Sequence, residues 1–154
     1  MSKDLSAVLD MAIGKEIEAQ AFYKELQGRV ADAEAKQALQ FMAEEEKKHE
    51  AFLVQYKTSG MGPESLKKSQ IVDYKIAEHL EKPDISGKMD SKDVYLVAAH
   101  RELNSYNFYK ELAGMHPKGA TRDMLLKMAD EEKKHKEKVE YLYSNTAFTQ
   151  TAGG

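Results

Sequence analysis

One nine-residue segment occurs twice in this chain with only two differences. MAEEEKKHE begins at Met42, and MADEEKKHK begins 86 residues later at Met128. The pentapeptide FYKEL has the same offset, since it occupies residues 22–26 and again residues 108–112. Two matches at one offset indicate an internal duplication. Each copy holds one FYKEL segment and one acidic segment ending in Lys-Lys-His, so the sequence predicts two copies of a two-helix unit.

Apolar positions in each copy recur at steps of three and four residues, which keeps their side chains on one face of an α-helix. We predict helices over about 4–28, 32–57, 91–115 and 119–144. Residues 58–90 form a linker long enough to return the chain along a bundle, and its stretch 64–80 could form a short amphipathic helix. The polar tail 145–154 is expected to be loose. The chain is expected to be a single domain over 1–154.

The composition excludes several classes of function. The 154 residues contain no cysteine, which excludes disulfides, thiolate metal sites and thiol catalysis. Basic and acidic residues are interleaved and the net charge is only −3, so no nucleic-acid partner is expected. The first residues lack a signal-peptide core and no apolar run approaches the length of a membrane span. We therefore expect a cytoplasmic protein with no membrane partner.

Each predicted helix carries a glutamate on its otherwise apolar face, and two of these glutamates are followed three residues later by a histidine. The six residues are Glu16, Glu46, His49, Glu102, Glu132 and His135. The two glutamates of each copy are 30 residues apart, which places them at one height in a helical hairpin. Four converging carboxylates repel one another unless cations lie between them. Two divalent metals would balance their charge, and mixed oxygen and nitrogen ligands favour Fe, Mn or Zn.

These residues belong to a longer pattern. The chain reads Glu-x-x-Ala-x-x-Phe-Tyr over 16–23 and Glu-x-x-His over 46–49, then Glu-x-x-Ser-x-x-Phe-Tyr over 102–109 and Glu-x-x-His over 132–135. The pattern resembles the rubrerythrin branch of the ferritin-like superfamily, whose metal ligands follow this arrangement. The resemblance implies an all-α, ferritin-like four-helix bundle, built from two duplicated hairpins joined by a long crossover linker.

The resemblance also implies a carboxylate-bridged centre of two Fe ions, with Mn or Zn as substitutes, and no catalytic residue beyond that centre. Glu46 and Glu132 would bridge the metals, Glu16 and Glu102 would each bind one metal, and His49 and His135 would each supply a nitrogen. Ferrous iron held in this way reacts with H₂O₂ or O₂. A homodimer is the expected assembly.

The sequence departs from the usual family pattern in two ways. Rubrerythrins usually append a Cys-rich, rubredoxin-like module that supplies electrons, so this chain would need an external electron donor such as a separate rubredoxin. The family also tends to carry another glutamate on the third helix, three residues after Glu102, where this chain has Ser105. The predicted site is therefore closer to the symmetric arrangement of bacterioferritin-like proteins.

Three functions remain open from the sequence. The chain could be a di-iron oxidoreductase that reduces hydrogen peroxide or oxidises ferrous iron with O₂. It could instead bind or buffer metal without turnover. Third, the bundle could be purely structural, with its core glutamates protonated or paired with lysine.

The sequence also allows expectations for other polar residues near the predicted ligands. Tyr23 and Tyr109 are either ordinary core aromatics or hydroxyls that hydrogen-bond a ligand carboxylate. The neighbouring acids are expected to be solvated and paired with lysine; they are Glu44, Glu45, Glu50 and Glu131. The remaining histidines are expected to lie outside the site; they are His79, His100 and His116.

Overall fold

The structure is a computed structural model, and it describes residues 3–59 and 75–152, with side chains over 5–59 and 75–146. The described residues form five helices: α1 (Lys3–Arg29), α2 (Ala33–Ser59), α3 (Ile76–His79), α4 (Ser91–Gly114) and α5 (Ala120–Ala152). This described part contains no regular strand, and its long helices pack as the hairpins α1–α2 and α4–α5. The predicted all-α helical bundle is confirmed.

The turns of the two hairpins follow from local sequence signals. Between α1 and α2, the Oδ2 atom of Asp32 accepts a hydrogen bond of 2.9 Å from the backbone N–H of Ala35. Aspartate is favoured at this position because it satisfies an N–H group that has no partner inside the helix. Between α4 and α5, Pro117 and Gly119 interrupt the helical pattern. Each turn is short, so the two helices that it joins lie antiparallel.

Two clusters of buried apolar side chains fill the bundle on either side of a polar middle layer. The first cluster includes Leu26, Leu39, Val97 and Val139. The second cluster includes Leu9, Leu53, Leu112 and Leu125. On every long helix the predicted ligands fall between residues of the two clusters, as Glu16 does between Ala12 and Ala19 on α1. The apolar clusters therefore hold the polar layer away from both ends of the bundle.

Buried charges attach α3, which belongs to the crossover segment (residues 58–90), to the second hairpin. The side chain of Lys136 on α5 is 2% exposed, and its Nζ lies 2.8 Å from Oε1 of Glu78 and 3.1 Å from Glu140. Glu140 is fully buried, and its Oε2 also accepts a hydrogen bond of 2.8 Å from the backbone N–H of Ala77. A buried lysine needs such partners, because an unpaired charge in the core is costly. This network holds α3 against α5.

Two predictions about the connecting segments need correction. Within the described residues the predicted linker helix is present only as Ile76–His79, and residues 60–74 lie outside the described part. The tail prediction was wrong, because α5 continues through Ala152, eight residues beyond the predicted end at 144. Residues 145–152 contain neither glycine nor proline, so no helix-breaking residue interrupts them.

None of the described helices combines the length and the apolar character needed to span a bilayer.

Candidate metal centre

The six residues predicted from the sequence meet in the polar middle layer, and we call them the Glu–His cluster. They are Glu16 on α1, Glu46 and His49 on α2, Glu102 on α4, and Glu132 and His135 on α5. No member of the cluster is more than 5% exposed. Every long helix therefore contributes to one buried site, as the equal spacing in the two copies predicts.

The ligand atoms of the cluster form two overlapping groups. The first group contains Glu16, Glu46, His49 and Glu132, and the second contains Glu46, Glu102, Glu132 and His135. Within each group the ligand atoms lie within 4.8 Å of one another. Because Glu46 and Glu132 belong to both groups, their carboxylates can reach two adjacent metal positions. The arrangement can thus hold a pair of metal ions.

The contacts within the cluster are reciprocal between the hairpins. Nδ1 of His49 lies 2.9 Å from Oε1 of Glu132, and Nδ1 of His135 lies 3.0 Å from Oε1 of Glu46. The two imidazole rings stack, with centroids 5.5 Å apart and an interplanar angle of 16°. Each histidine therefore faces a carboxylate of the other sequence copy, and neither hairpin holds a complete group by itself.

The tyrosines of the two FYKEL segments connect the hairpins in the same reciprocal way. The hydroxyl of Tyr23 donates a hydrogen bond of 2.5 Å to Glu102, and the hydroxyl of Tyr109 donates one of 2.6 Å to Glu16. Burial, followed by the nearby carboxylates, raises the pKa of both hydroxyls well above the ordinary value, so they stay protonated. Both interpretations of these tyrosines apply, because the hydroxyls hydrogen-bond carboxylates of the Glu–His cluster and the rings belong to the apolar clusters.

Several polar atoms of the cluster are buried without a hydrogen-bond partner among the described residues. They are Oε2 of Glu16, Nδ1 of His49, Oε2 of Glu102, both carboxylate oxygens of Glu132 and Nε2 of His135. The short contact between His49 and Glu132 is not aligned for a hydrogen bond, although its length would allow one. Buried polar atoms normally have partners. Metal ions would satisfy the atoms that face the interior of the cluster, so these residues fit a dinuclear metal site.

Comparison with known proteins gives the family. The family model for rubrerythrin matches residues 7–143. The chain belongs to the rubrerythrin family. Among solved structures, it is similar to a hypothetical protein from Pyrococcus furiosus, with a TM-score of 0.63 and 26% identity over 92% of this chain and 89% of that chain. A search of curated proteins gives no significant match. Family membership implies a di-iron carboxylate site, and the Glu–His cluster supplies groups that could hold it.

Burial and mutual repulsion prevent all carboxylates of this rubrerythrin-family site from ionising together. Burial, reinforced by the charge of Glu46, raises the pKa of Glu16 to about 8. Burial also acts to raise the pKa of Glu46, but hydrogen bonds from Glu16 and the two histidines lower it well below the ordinary value. Glu16 and Glu46 therefore share one proton, which resides on Glu16. Burial, with repulsion from Glu102, raises the pKa of Glu132 well above the ordinary value.

The pKa values of the two cluster histidines are also raised, but for a different reason. Burial lowers the pKa of an imidazole, but the surrounding carboxylates outweigh it and raise the pKa of His49 and His135 well above the ordinary value. At neutral pH the metal-free protein therefore keeps a proton on Glu16, and the raised pKa values of Glu132 and both imidazoles also favour their protonated forms. Metal ions must displace these protons, so metal affinity is expected to rise with pH.

Two acids that the sequence assigned to solvent lie beside the cluster of this rubrerythrin-family chain. The side chains of Glu45 and Glu131 are only 22% and 14% exposed. They do pair with the predicted lysines, Lys48 at 3.1 Å and Lys134 at 3.6 Å. Glu45 also lies 3.8 Å from Nε2 of His135, and attraction to this imidazole, with help from Lys48, lowers the pKa of Glu45 to about 2.

The other predictions for neighbouring residues have mixed outcomes. Glu44 is exposed as predicted, but its described partner is Gln40 rather than a lysine. Glu50 is half-buried and accepts a hydrogen bond of 2.8 Å from Gln20. The three remaining histidines lie outside the cluster: His79 ends α3, His100 contacts the carbonyl oxygen of Leu80, and His116 follows α4.

Removing a tyrosine hydroxyl should weaken metal binding without removing a ligand. In Tyr109→Phe, Glu16 loses the 2.6 Å hydrogen bond that orients it. Loss of such an orienting contact typically weakens metal affinity by about 10- to 100-fold. We expect this loss in Tyr109→Phe and, through Glu102, in Tyr23→Phe, measured by competition with a chelator of known affinity.

A matched control is available on the same helix. Tyr106 packs beneath the ammonium groups of Lys110 and Lys133, and among the described residues its hydroxyl makes no hydrogen bond to the Glu–His cluster. Tyr106→Phe makes the same chemical change and should leave metal affinity unchanged. Equal affinities for Tyr106→Phe and Tyr109→Phe would contradict the orienting role.

Proposed function

We propose that this chain is a non-haem di-iron oxidoreductase of the rubrerythrin type, which reduces hydrogen peroxide or oxidises ferrous iron with O₂. The observation that supports it most directly is the pair of overlapping ligand groups that share Glu46 and Glu132. Two iron ions, when bound, supply one electron each at adjacent positions, which suits the two-electron reduction of an O–O bond.

In this proposal each residue of the Glu–His cluster has a distinct role. Glu46 and Glu132 would contribute to both metal positions, because each belongs to both groups. Glu16 and Glu102 each bind one metal, and the tyrosine hydroxyls hold these two carboxylates in place. His49 and His135 each supply one nitrogen. The four carboxylates then balance the charge of two divalent ions, and the neutral imidazoles leave that balance unchanged.

The surroundings of the cluster support a redox role. The apolar side chains above and below it exclude water, which strengthens every electrostatic interaction inside the layer. Reduction of one H₂O₂ to two waters consumes two electrons and two protons. We propose that a separate donor, such as a rubredoxin, returns the electrons, because the 154 residues contain no cysteine that could hold a rubredoxin-type iron. We further propose that the protein acts in the cytoplasm as a homodimer.

Metal binding without turnover is the second candidate function. It is favoured by Ser105, which occupies the position where the family tends to carry an additional glutamate. It uses the same cluster, so geometry alone does not separate it from the first candidate. Their difference lies in the rate at which bound ferrous iron is oxidised.

The deciding experiment mixes anaerobic, iron-loaded protein with one equivalent of H₂O₂ and, separately, with O₂. We expect two irons per chain and rapid growth of ferric absorption in the near ultraviolet. Continued turnover should require an added rubredoxin and its reductase. If two irons bind but are oxidised no faster than free Fe²⁺, metal buffering is the better account. If well under one metal binds per chain after reconstitution, the bundle is structural and the proposal fails.

A further inference from the structure

A third group of potential ligands lies at the outer edge of the Glu–His cluster. It contains His49, Glu131 and His135, whose ligand atoms all lie within 4.8 Å of one another. Glu45 lies beside this group, with its Oε1 3.8 Å from Nε2 of His135. Glu45 and Glu131 are equivalent positions of the duplication, 86 residues apart. Both sequence copies therefore place a carboxylate next to the stacked histidines.

Two members of this outer group, His49 and Glu131, line a cavity of about 470 Å³. Its lining also includes Glu45, Lys48 and Phe52. His49 is the buried member of the lining, so the cavity reaches the Glu–His cluster at that residue. The other lining residues are half-buried or exposed. The cavity therefore connects solvent with the edge of the cluster.

The ring of His135 presents a nitrogen to each side of this boundary. Its Nδ1 lies 3.0 Å from Glu46 inside the cluster, whereas its Nε2 faces the outer carboxylate of Glu45. Nε2 is buried in a residue that is 4% exposed, and it has no hydrogen-bond partner among the described residues. A buried nitrogen with two half-buried carboxylates nearby is a mixed donor set that suits a first-row divalent cation.

We infer that Glu45 and Glu131, together with the histidine pair, form a transit site that a divalent metal ion occupies on its way into the Glu–His cluster. The inference rests on the proposed dinuclear site as the destination of the ion. A neutral imidazole binds a metal through one nitrogen while the other carries a proton. The same rings therefore serve the transit site first and the cluster afterwards, and the site empties as the cluster fills.

The charges around the cavity suit such a passage. The two carboxylates attract a hydrated cation and replace part of its water shell before it reaches the buried layer. Lys48 and Lys134 pair with these carboxylates, at 3.1 and 3.6 Å. The side chain of Lys48 is 76% exposed and that of Lys134 is 31% exposed, so both can move into solvent when a divalent ion takes their place.

The test is the rate of Co²⁺ uptake by metal-free protein, followed by visible absorption, and the rate of Co²⁺ release to excess chelator. In Glu45→Gln and Glu131→Gln, we expect uptake and release to slow by a similar factor of about tenfold, with two Co²⁺ still bound. A residue that lies only on the path changes both rates equally and leaves the dissociation constant unchanged. Glu44→Gln removes an exposed carboxylate one residue from Glu45 and should load at the wild-type rate.

Three outcomes would overturn the inference in distinguishable ways. Uptake by both variants at the wild-type rate excludes a transit role. Faster release with unchanged uptake means that Glu45 and Glu131 only stabilise the bound state by holding the histidine rings. Equal slowing in Glu44→Gln means that net charge, and not a local site, controls loading. If the wild-type protein itself takes up fewer than two Co²⁺, the dinuclear site fails and the transit site fails with it.

Discussion

Glu46→Ala and Glu132→Ala are each expected to abolish stoichiometric loading of two irons and the rapid oxidation that follows. Each substitution removes a carboxylate that belongs to both ligand groups, so both metal positions lose a ligand at once. Loss of an indirect, orienting contact already weakens metal affinity by about 10- to 100-fold, so loss of a shared ligand should weaken it by more. Iron analysis after reconstitution and the rate of ferric absorption with H₂O₂ measure the two effects.

The control for these variants is Glu44→Ala. Glu44 is exposed and lies on the same helix as Glu46, so its loss should leave loading and oxidation at wild-type levels. Glu45 is unsuitable as the control, although it is also outside the core-facing row, because its carboxylate lies 3.8 Å from His135. Helical circular dichroism should confirm that every variant folds. If Glu44→Ala is as damaging as Glu46→Ala, the assignment of the ligand face is wrong.

Metal-free protein is expected to lose stability as the pH rises from about 5 to about 8, whereas the stabilisation given by metal should grow over the same range. Burial first, and then the charge of Glu46, raises the pKa of Glu16 from 4.5 to about 8. The folded state therefore binds more protons than the unfolded state between these values. The free energy of unfolding then falls with rising pH. The stabilisation from the proton on Glu16 is fully present below the pKa of Glu16 in the unfolded chain, and it is lost as the pH rises through the pKa of Glu16 in the folded protein.

The other cluster residues with a raised pKa also lower the stability of the metal-free protein as the pH rises from about 5 to about 8. The pKa of Glu132 and the pKa values of both cluster histidines are also raised, so their protons leave the folded protein only at higher pH. The lowered pKa of Glu46 has the opposite sign, but its effect lies below about pH 4.5. A change of one proton over the three pH units from about 5 to about 8 corresponds to about 4 kcal/mol, so a loss of a few kcal/mol is expected.

Chemical denaturation with chelator and with added metal at both pH values measures these changes. Metal bound only to the folded state adds about 2.7 kcal/mol at a hundredfold excess over the dissociation constant. Glu16→Gln removes one of these titrating groups and should weaken the pH dependence, whereas Glu44→Gln should leave it unchanged. An unfolding curve that chelation leaves unchanged, on protein shown to have lost its metal, would contradict the expected stabilisation.

The ligand positions could be predicted from the sequence because buried acids stand out against apolar neighbours. Glu16 and Glu102 occupy equivalent places in two copies, which makes a chance match improbable. The two interpretations of Tyr23 could not be separated in the same way, since a core ring and a bonded hydroxyl require the same helical position. The structure is needed to show that the Tyr23 hydroxyl lies 2.5 Å from Glu102, which is on a helix of the other copy.

Other features escaped prediction because a partner distant in sequence creates them. Lys136 and Glu140 lie in a charged run and have the spacing of an ordinary surface pair. They become buried because Ala77 and Glu78 of the crossover segment cover them. Glu45 was missed because neighbouring positions on a helix differ in direction by about 100°. Whether that direction leads to solvent or to a second hairpin is a property of the packing.

The reciprocal contacts across the cluster also bear on how such a chain could arise. His49 faces Glu132 as His135 faces Glu46, so a homodimer of the two-helix unit would present the same six ligands about a two-fold axis. Joining two copies in one chain raises the effective concentration of each for the other and frees equivalent positions to diverge. Position 50 of the first copy is a glutamate bonded to Gln20, whereas its equivalent is Lys136, which binds the crossover segment. A symmetric homodimer could not have changed one of these sites without changing the other, so the one-sided attachment of the crossover segment became available only after fusion.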